Sequence, residues 1–180
     1  MVINMRSTNV EKQGLRQLTN FIPQDAVFAE IGCYAGLSSE IFMQSNRVST
    51  LYCIDAWTSG YDERDGASRS DMAEVEEAFD KRMRGHNIIK IKAWSYDAVN
   101  QFEDESLDGI YIDGNHGYEA VKKDIELFLP KIKKTGIICG HDYNSPGWGK
   151  EVNRAVNEVL GIPDLTFNDY SWLFYMDKRD

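Results

Sequence analysis

Residues 27–38, VFAEIGCYAGLS, run from an apolar stretch into a turn with two glycines and then into the start of a helix. Glu30 lies near the end of the apolar stretch, and Gly32 and Gly36 follow where the backbone must turn sharply. Ser38 then falls in the first turn of the predicted helix, where a hydroxyl suits the free N–H groups. A strand, turn and helix of this kind lets a ligand contact bare backbone at a helix N-terminus.

The spacing of the glycines separates two classes of ligand. A dinucleotide site usually shows Gly-x-Gly-x-x-Gly, in which the middle glycine admits the pyrophosphate. Tyr34 stands at that position and would crowd a pyrophosphate, which argues against an NAD-dependent enzyme. The Glu-x-Gly-x-x-x-Gly pattern instead resembles motif I of class I S-adenosylmethionine (SAM) methyltransferases, whose ligand carries no phosphate. A tight turn that binds no ligand is the alternative.

Composition limits the compartment and the partners. The 180 residues, 42% hydrophobic and 27% charged, fit a single domain spanning residues 1–180. A net charge of −9 argues against a nucleic-acid backbone as a partner. Because no apolar signal core and no run of about 18 apolar residues occurs, we predict a cytoplasmic protein that makes no membrane contact. The cysteines form no C-x-x-C pair and are predicted to be buried free thiols: Cys33, Cys53 and Cys139.

Apolar runs alternate with helical patterns along the chain. Buried strands are predicted at residues 26–31, 51–54, 88–91, 109–112 and 136–139. Helical periodicity appears between them, for example over residues 72–83 and 121–129. Two last apolar runs, 165–167 and 172–176, are joined by four residues and predict a hairpin. Strands alternating with helices indicate an α/β fold with a mostly parallel sheet and helices on both faces.

Two polar, glycine-bearing segments follow predicted strands directly. Residues 58–70 follow the second strand and residues 143–150 follow the fifth. Ligands bind at the carboxyl ends of strands in open α/β sheets, so we predict that both segments are mobile lids, with ordinary surface loops as the alternative. Aromatic residues in or near them predict an acceptor pocket that stacks against a ring or sugar face: Trp57, Tyr61, Tyr143 and Trp148.

The ends of strands two and three carry further candidate ligand-binding residues. Asp55 ends strand two, 19 residues after Gly36 (55 − 36), where an acid can accept both ribose hydroxyls of a nucleoside; a helix cap is the alternative. Trp57 could stack on adenine or pack in the core, and the sequence leaves both open. Ser95 follows Trp94 after strand three and is predicted to be the N-cap of the next helix.

Two of the three histidines follow successive strands, each close to an aspartate. Asp113 and His116 lie in IDGNHGYE after strand four, and His141 and Asp142 lie in GHDYN after strand five. Carboxylates brought this close together repel unless positive charge sits between them. Oxygen ligands favour Mg²⁺, Mn²⁺ or Ca²⁺, and histidine admits Mn²⁺, Fe²⁺ or Zn²⁺. We therefore predict a divalent-metal or catalytic site at these two strand ends.

Residues 113–161, together with the two motifs at the ends of strands one and two, resemble the methyltransferase 24 family. That family is related to metal-dependent O-methyltransferases that act on catechols, macrolide sugars and similar acceptors. The likeness covers residues 25–175, and the pair D-G-x-H and G-H-D-Y is its most specific part. It implies a Rossmann-like methyltransferase fold with a seven-stranded sheet in the order 3-2-1-4-5-7-6, a C-terminal antiparallel hairpin and a helical cap over residues 1–22.

The resemblance also implies the site residues. SAM would be bound by Glu30, Gly32, Cys33, Tyr34, Gly36, Ser38, Asp55, Ala56, Trp57, Trp94, Ser95, Asp113 and His116. A divalent cation, Mg²⁺ or Mn²⁺, would be held by Asp113, His141 and Asp142. Asp113 and Asp142 match acidic ligands of the related enzymes, whereas His141 stands where those enzymes more often carry an acid. His116 stands where the catechol enzymes place a catalytic lysine.

These expectations combine into methyl transfer from SAM to an oxygen of a small acceptor, such as a sugar, a phenol or a natural-product intermediate. His116, His141 and Asp142 are the predicted catalytic residues, since an imidazole takes up a proton near neutral pH. A homo-oligomer would complete the acceptor pocket. The alternatives are a metal-dependent hydrolase that uses the same aspartates and histidines, and a SAM-binding module without catalytic activity.

Overall fold

A computed structural model describes residues 9–179 of the chain. Within this range seven strands form one sheet in the order β3-β2-β1-β4-β5-β7-β6, which confirms the expected topology. The first five strands pair in parallel, and β7 lies antiparallel between β5 and β6. The strands are β1 Ala26–Ile31, β2 Val48–Asp55, β3 Ile88–Lys92, β4 Leu107–Ile112, β5 Ile132–Gly140, β6 Leu165–Thr166 and β7 Trp172–Tyr175.

Six α-helices of the described range connect or flank the strands. They are α1 Asn9–Leu18, α2 Leu37–Gln44, α3 Met72–Arg82, α4 Ser95–Ala98, α5 Tyr118–Phe128 and α6 Gly149–Val159. Residues 1–8 of the predicted N-terminal helical cap lie outside the described residues. Between residues 9 and 179 no helix is long and apolar enough to cross a membrane. The cytoplasmic location and the single domain over the whole chain stay predictions.

The strand bounds follow the predicted ones most closely where both faces of a strand are buried. β1 has the predicted bounds, and every residue but one of this strand is buried. β5 begins at Ile132, four residues before the predicted start, and its extra segment includes the exposed Lys134 and Thr135. The register of β5 against β4 passes from Ile132 directly to Ile137, so the residues between them form an irregular polar stretch that an apolar pattern does not reveal. The hairpin strand β6 ends at Thr166, one residue before the predicted end.

Each face of the sheet packs against its own apolar layer. Ile110 and Ile138 point to the side covered by α5 and α6, where Phe128 is fully buried. Phe28 and Leu51 point to the opposite side, which α1, α2 and α3 cover. Burying one such side chain stabilises the fold by roughly 1.5–3 kcal/mol. All three cysteines lie in the core as free thiols, as predicted.

Gly32 allows the ends of β1 and β4 to approach closely. Its φ of +86° is a conformation that side chains disfavour, and a Cβ on Gly32 would lie 2.1 Å from the backbone oxygen of Asp113. The Asp113 backbone N–H donates to the Ile31 carbonyl across 2.8 Å at the same point. The glycine loop and the acid after β4 are therefore held against each other by the backbone itself.

Glu30 is a fully buried carboxylate beneath this loop. The hydroxyls of Ser38 and Ser39 donate to its two oxygens. Burial raises the pKa of Glu30 to about 7, although these hydrogen bonds oppose the shift. Ser38 therefore turns inward to Glu30, and the expectation that its hydroxyl serves the helix N–H groups is wrong. The N-cap of α2 is Gly36, with φ 80° and no side-chain cap.

We expect Gly32→Ala to destabilise the protein much more than Gly60→Ala. Both glycines have positive φ, but a Cβ on Gly60 meets nothing within 4 Å. The Gly60 variant should lose about 1–3 kcal/mol of unfolding free energy, through backbone strain alone. Gly32→Ala should lose typically another 1–3 kcal/mol, because its Cβ clashes with backbone. Urea unfolding of both variants measures the difference. Equal losses of unfolding free energy would contradict the close approach.

The burial of Glu30 predicts a pH dependence of stability. The folded chain holds this proton up to about pH 7, but the unfolded chain releases it near the ordinary glutamate pKa of 4.5. The folded state therefore binds more protons between these values, and stability falls as the pH rises through that window. Relative to Glu30→Gln, the wild type should lose on the order of 3 kcal/mol of unfolding free energy between pH 4.5 and 8.5.

Denaturant unfolding at several pH values measures this loss, with Glu40→Gln as a control whose carboxylate forms a partly exposed ion pair with Arg82. The Glu40 variant should keep the pH dependence of the wild type. If Glu30→Gln also kept the wild-type pH dependence of stability, the buried carboxyl would not be the source of that dependence.

Candidate active site

A cavity of about 750 Å³ opens at the carboxyl ends of the parallel strands. This volume lies within the range of sites that bind small molecules and cofactors. Ten of the residues predicted to bind SAM line it: Gly32, Cys33, Tyr34, Ser38, Asp55, Ala56, Trp94, Ser95, Asp113 and His116. Glu30 and Gly36 shape the loop from beneath, and Trp57 lies outside the lining. The cavity thus brings most of the predicted set together.

Asp55 is tied to the backbone of two loops at the cavity wall. Its Oδ2 accepts a hydrogen bond from the Tyr34 N–H at 2.9 Å, and its Oδ1 accepts one from the Trp57 N–H at 2.7 Å. Burial raises the pKa of Asp55, and these backbone hydrogen bonds counteract part of that shift. No helix follows directly, so the helix-cap alternative is wrong. The carboxylate has a fixed position from which its remaining lone pairs can accept hydroxyl groups of a ligand.

The predicted aromatic wall is only partly present. Trp57 is 5% exposed, and its ring centre lies 4.9 Å from that of Phe79. Its indole N–H donates to the Tyr34 carbonyl. Trp57 therefore packs in the core and does not stack on adenine. Tyr143 is also in the core. Tyr61 lines the cavity, and Trp148 stacks on the His116 ring at 5.5 Å between centroids.

The loop after β3, an edge strand of the sheet, forms one end of the cavity. Ser95 is the first residue of α4 rather than its N-cap, which is Trp94, and the Ser95 hydroxyl donates to Asp124. Burial raises the pKa of Asp124 to about 6. Sequence reasoning missed Asp124. Its signal is a position on the apolar face of α5, between Val121 and Ile125.

The aspartates and histidines after β4 and β5 converge at one point. Ligand atoms of Asp113, His141 and Asp142 all lie within 4.8 Å of one another. His116 Nε2 lies 3.3 Å from Asp113 Oδ1 and 3.2 Å from Asp142 Oδ2. His141 Nδ1 lies 3.2 Å from Asp142 Oδ2. The two sequence motifs therefore form one cluster, which we call the strand-end cluster.

Asp65 is an additional member of this site that sequence reasoning missed. It lies in the polar loop after β2, is 6% exposed, and its Oδ2 lies 3.3 Å from His116 Nδ1. The Tyr61 hydroxyl donates to the same oxygen at 3.0 Å, and the Ala67 N–H donates to Oδ1. An acid in a polar, acid-rich segment carries no sequence signal for such a role. Both ring nitrogens of His116 therefore face carboxylates.

These carboxylates keep the two imidazoles protonated. Burial alone would lower the pKa of His116, but hydrogen bonds to Asp113 and Asp65 outweigh it and raise the value to about 10. Burial opposes the shift at His141 as well, yet the charge of Asp113 and the bond to Asp142 raise its pKa to about 9. With these neighbours alone, both rings act as hydrogen-bond donors at neutral pH.

Four residues at this edge of the sheet have a strained backbone. Tyr34, Trp57, Asp142 and Asn144 all have φ between 43° and 64°, which residues with side chains rarely adopt. Each lies in a loop that follows β1, β2 or β5. Strained backbone of this kind costs of order 1–3 kcal/mol and persists where the surrounding structure imposes it, often at functional sites.

The two predicted lid segments meet above His116. Arg64, from the loop after β2, lies with its guanidinium carbon 5.1 Å from the ring centre of Trp148, from the loop after β5. Trp148 in turn stacks on His116. The loops are thus joined through a cation–π contact and a ring stack over the strand-end cluster. Their mobility stays a prediction.

Comparison with known proteins agrees with this geometry. Residues 29–143 match the methyltransferase 24 family, described as a methyltransferase domain. Protein R132 of Acanthamoeba polyphaga mimivirus is 30% identical over 167 residues, which cover 87% of this chain and 69% of R132.

Two solved structures share the fold. The apo structure of CalS11, a TDP-rhamnose 3'-O-methyltransferase of calicheamicin biosynthesis, is similar with a TM-score of 0.58 and 18% identity, over 91% of this chain and 76% of CalS11. Cofactor-bound Rv0187 from MTB is similar with a TM-score of 0.65 and 14% identity, over 96% of this chain and 82% of Rv0187.

The family match spans more than half of the chain and includes the glycine loop, Asp55 and the strand-end cluster up to Asp142. The sheet order and the cavity at its carboxyl edge are those that the resemblance to class I methyltransferases implied. The chain therefore belongs to the methyltransferase 24 family and is a SAM-dependent methyltransferase.

Proposed function

We propose that this enzyme transfers the methyl group of SAM to an oxygen of a small hydroxylated acceptor, assisted by a divalent cation, Mg²⁺ or Mn²⁺. The observation that carries the proposal is the convergence of Asp113, His141 and Asp142 within 4.8 Å beside the glycine loop. Methyl transfer in line from a sulfonium to an oxygen depends on close approach, which a fixed cavity provides.

The cavity fits the parts of SAM in order along the sheet. Asp55 is placed to accept the ribose hydroxyls, since its carboxylate is held by backbone N–H groups and faces the cavity. Trp94, Ser95 and Asp124 form the end suited to adenine, where an acid and a hydroxyl meet an aromatic side chain. Gly32 leaves room for the methionine part beside Asp113.

The strand-end cluster fits a divalent cation by the chemistry of its donors. Asp113 and Asp142 offer hard carboxylate oxygens and His141 offers an imidazole nitrogen, a set that suits Mg²⁺ or Mn²⁺. A cation bound there would lower the pKa of an acceptor hydroxyl and orient it.

His116 is the best-placed residue to receive the acceptor proton. Its Nε2 is directed at the strand-end cluster, while Asp65 holds Nδ1 from the other side and Trp148 covers the ring face. Asp65 thereby fixes the orientation of the imidazole. His116 can serve as a base when added positive charge near Asp113 and Asp142 offsets the carboxylates that now retain its proton. His141 is either a third ligand or an alternative base.

The acceptor is proposed to be a small hydroxylated molecule. The cavity of about 750 Å³, bordered by α1, the loop after β2 and the β6–β7 link, has a size typical of small-molecule sites. CalS11 is a TDP-rhamnose 3'-O-methyltransferase, and its similarity to this chain supports a sugar among the candidate acceptors. The net charge of −9 supports the absence of a nucleic-acid partner. A membrane role is not part of the proposal, and a homo-oligomer would complete the pocket.

The two earlier alternatives are set aside. A metal-dependent hydrolase would use the strand-end cluster but give no role to the glycine loop and Asp55, which belong to the matched methyltransferase domain. A SAM-binding module without activity would give no role to the cluster of Asp113, His116 and Asp142.

We expect turnover, but not cofactor binding, to depend on the strand-end cluster. Asp142→Asn keeps a side chain that tolerates the φ of 64° but removes a negative ligand. Methylation, measured as S-adenosylhomocysteine (SAH) release with a panel of catechols and sugars, should fall at least about 100-fold, because metal activation contributes several kcal/mol. EDTA should have the same effect on the wild type, and added Mg²⁺ or Mn²⁺ should reverse it.

Asp104→Asn is the matched control, since Asp104 is 71% exposed and pairs with Lys131 far from the cavity. It should keep wild-type turnover. Full activity of the Asp142 variant in EDTA would show that the metal-assisted mechanism is wrong, even if methyl transfer itself remained.

A further inference from the structure

Asp169 is a buried carboxylate on the cavity wall that the reaction described above does not use. It lies in the link between β6 and β7, and the pairing of Trp172 with Gly140 brings this link to the carboxyl end of β5. Asp169 is 1% exposed and lines the cavity with Leu15, Tyr111 and His141. It therefore stands at the end of the cavity opposite to Trp94.

The two oxygens of Asp169 differ in their partners. Oδ1 accepts a hydrogen bond from the Ser171 N–H at 3.1 Å. Oδ2 is buried and receives no hydrogen bond from any residue in the described range 9–179. A buried carboxylate oxygen without a donor is costly, and native proteins rarely keep one without a reason. A ligand in the cavity can supply the donor.

The first helix is shaped to leave this carboxylate in place. A Cβ on Gly14 of α1 would lie 2.1 Å from Asp169 Oδ1 and 2.6 Å from Oδ2. Glycine inside a helix is less favourable than alanine. The helix thus has its glycine at the residue that faces the carboxyl group, and Leu15 beside it lines the cavity.

Among the lysines and arginines of the described residues, Lys123 lines the cavity, and it lies at the opposite end, 4.2 Å from the ring centre of Tyr96. The cation at this end is the protonated His141, whose Nδ1 faces Asp113 and Asp142. Asp169 is also not among the groups whose ligand atoms could share one ion with Asp113. The molecule that occupies this end can therefore supply the donor that Oδ2 lacks, and a carboxylate favours a charged donor.

We propose that Asp169 determines acceptor specificity by accepting a hydrogen bond at Oδ2 from a protonated amino group of the acceptor. The inference rests on the proposed function, because it takes the end of the cavity beside His141 as the acceptor end. The acceptor is then an amine-bearing alcohol or phenol, whose hydroxyl lies at the strand-end cluster while its ammonium lies at Asp169. A charged hydrogen bond of this kind contributes roughly 10- to 100-fold in affinity.

The test compares acceptors that differ in one amino group. Dopamine and 4-ethylcatechol form one pair, and glucosamine and glucose, which carries a hydroxyl in place of the amino group, form the other. Calorimetry measures the binding of each to the wild type and to Asp169→Asn, with and without saturating SAH and in the presence of Mg²⁺. The wild type should bind the amine at least about tenfold more tightly in one of the pairs, and Asp169→Asn should remove that preference without changing SAH affinity.

Two further variants guard against a purely structural effect. Gly14→Ala leaves Asp169 intact but forces its carboxyl group aside, so it should also remove the preference. Asp177→Asn changes an exposed carboxylate nearby in the sequence and should keep it. Thermal unfolding shows whether each variant is folded.

Three results would overturn the inference. They are no amine preference in either pair, a preference that survives Asp169→Asn, and a loss of SAH affinity in that variant, which would assign Oδ2 to the methionine ammonium. Failure of SAH to bind the wild type is a separate outcome and counts against the proposed function.

Discussion

The close contact between the ends of β1 and β4 is the constraint on which the site depends. Gly32 has no side chain where the Asp113 carbonyl lies, and the Asp113 N–H bonds to Ile31. This contact sets the glycine loop, which borders the cofactor, directly beside the first acid of the strand-end cluster. In the proposed reaction the methyl donor must lie close to the acceptor oxygen, and this contact holds the glycine loop beside Asp113.

The same edge of the sheet carries five buried or half-buried carboxylates: Asp55, Asp65, Asp113, Asp142 and Asp169. Backbone N–H groups hold Asp55, a histidine and a tyrosine hydroxyl hold Asp65, and histidines face Asp113 and Asp142. Asp169 differs from these because it has a buried oxygen that receives no hydrogen bond in the described chain. Protein groups therefore compensate four of the carboxylates, and the proposed acceptor would compensate the fifth.

Much of this architecture could be predicted from the sequence, because strong local patterns carried it. The glycine spacing, the apolar strands and the motifs after β4 and β5 each identify an element whose neighbours in a parallel sheet follow from topology. The fold and the strand-end cluster were expected on that basis. Strand ends built from polar residues, such as the start of β5, were not expected, because they leave no apolar pattern in the sequence.

Residues whose roles depend on distant contacts could not be assigned. Trp57 packs on Phe79, and Ser95 bonds to Asp124 rather than capping its helix, since tertiary partners override local preference. Asp65 and Asp169 lie in polar links without periodicity, so nothing local distinguishes them from solvated acids. Their burial becomes apparent only when loops from different strands come together at one edge.

Calorimetric titration with SAH tests the central claim most directly, namely that the glycine loop and Asp55 form a cofactor site that works independently of the cation. The account predicts one bound SAH per chain with a dissociation constant on the order of micromolar, the same within about twofold in Mg²⁺ and in EDTA, and weakened at least about tenfold in Asp55→Asn. Absence of binding under both conditions, or full affinity in the Asp55 variant, would contradict it.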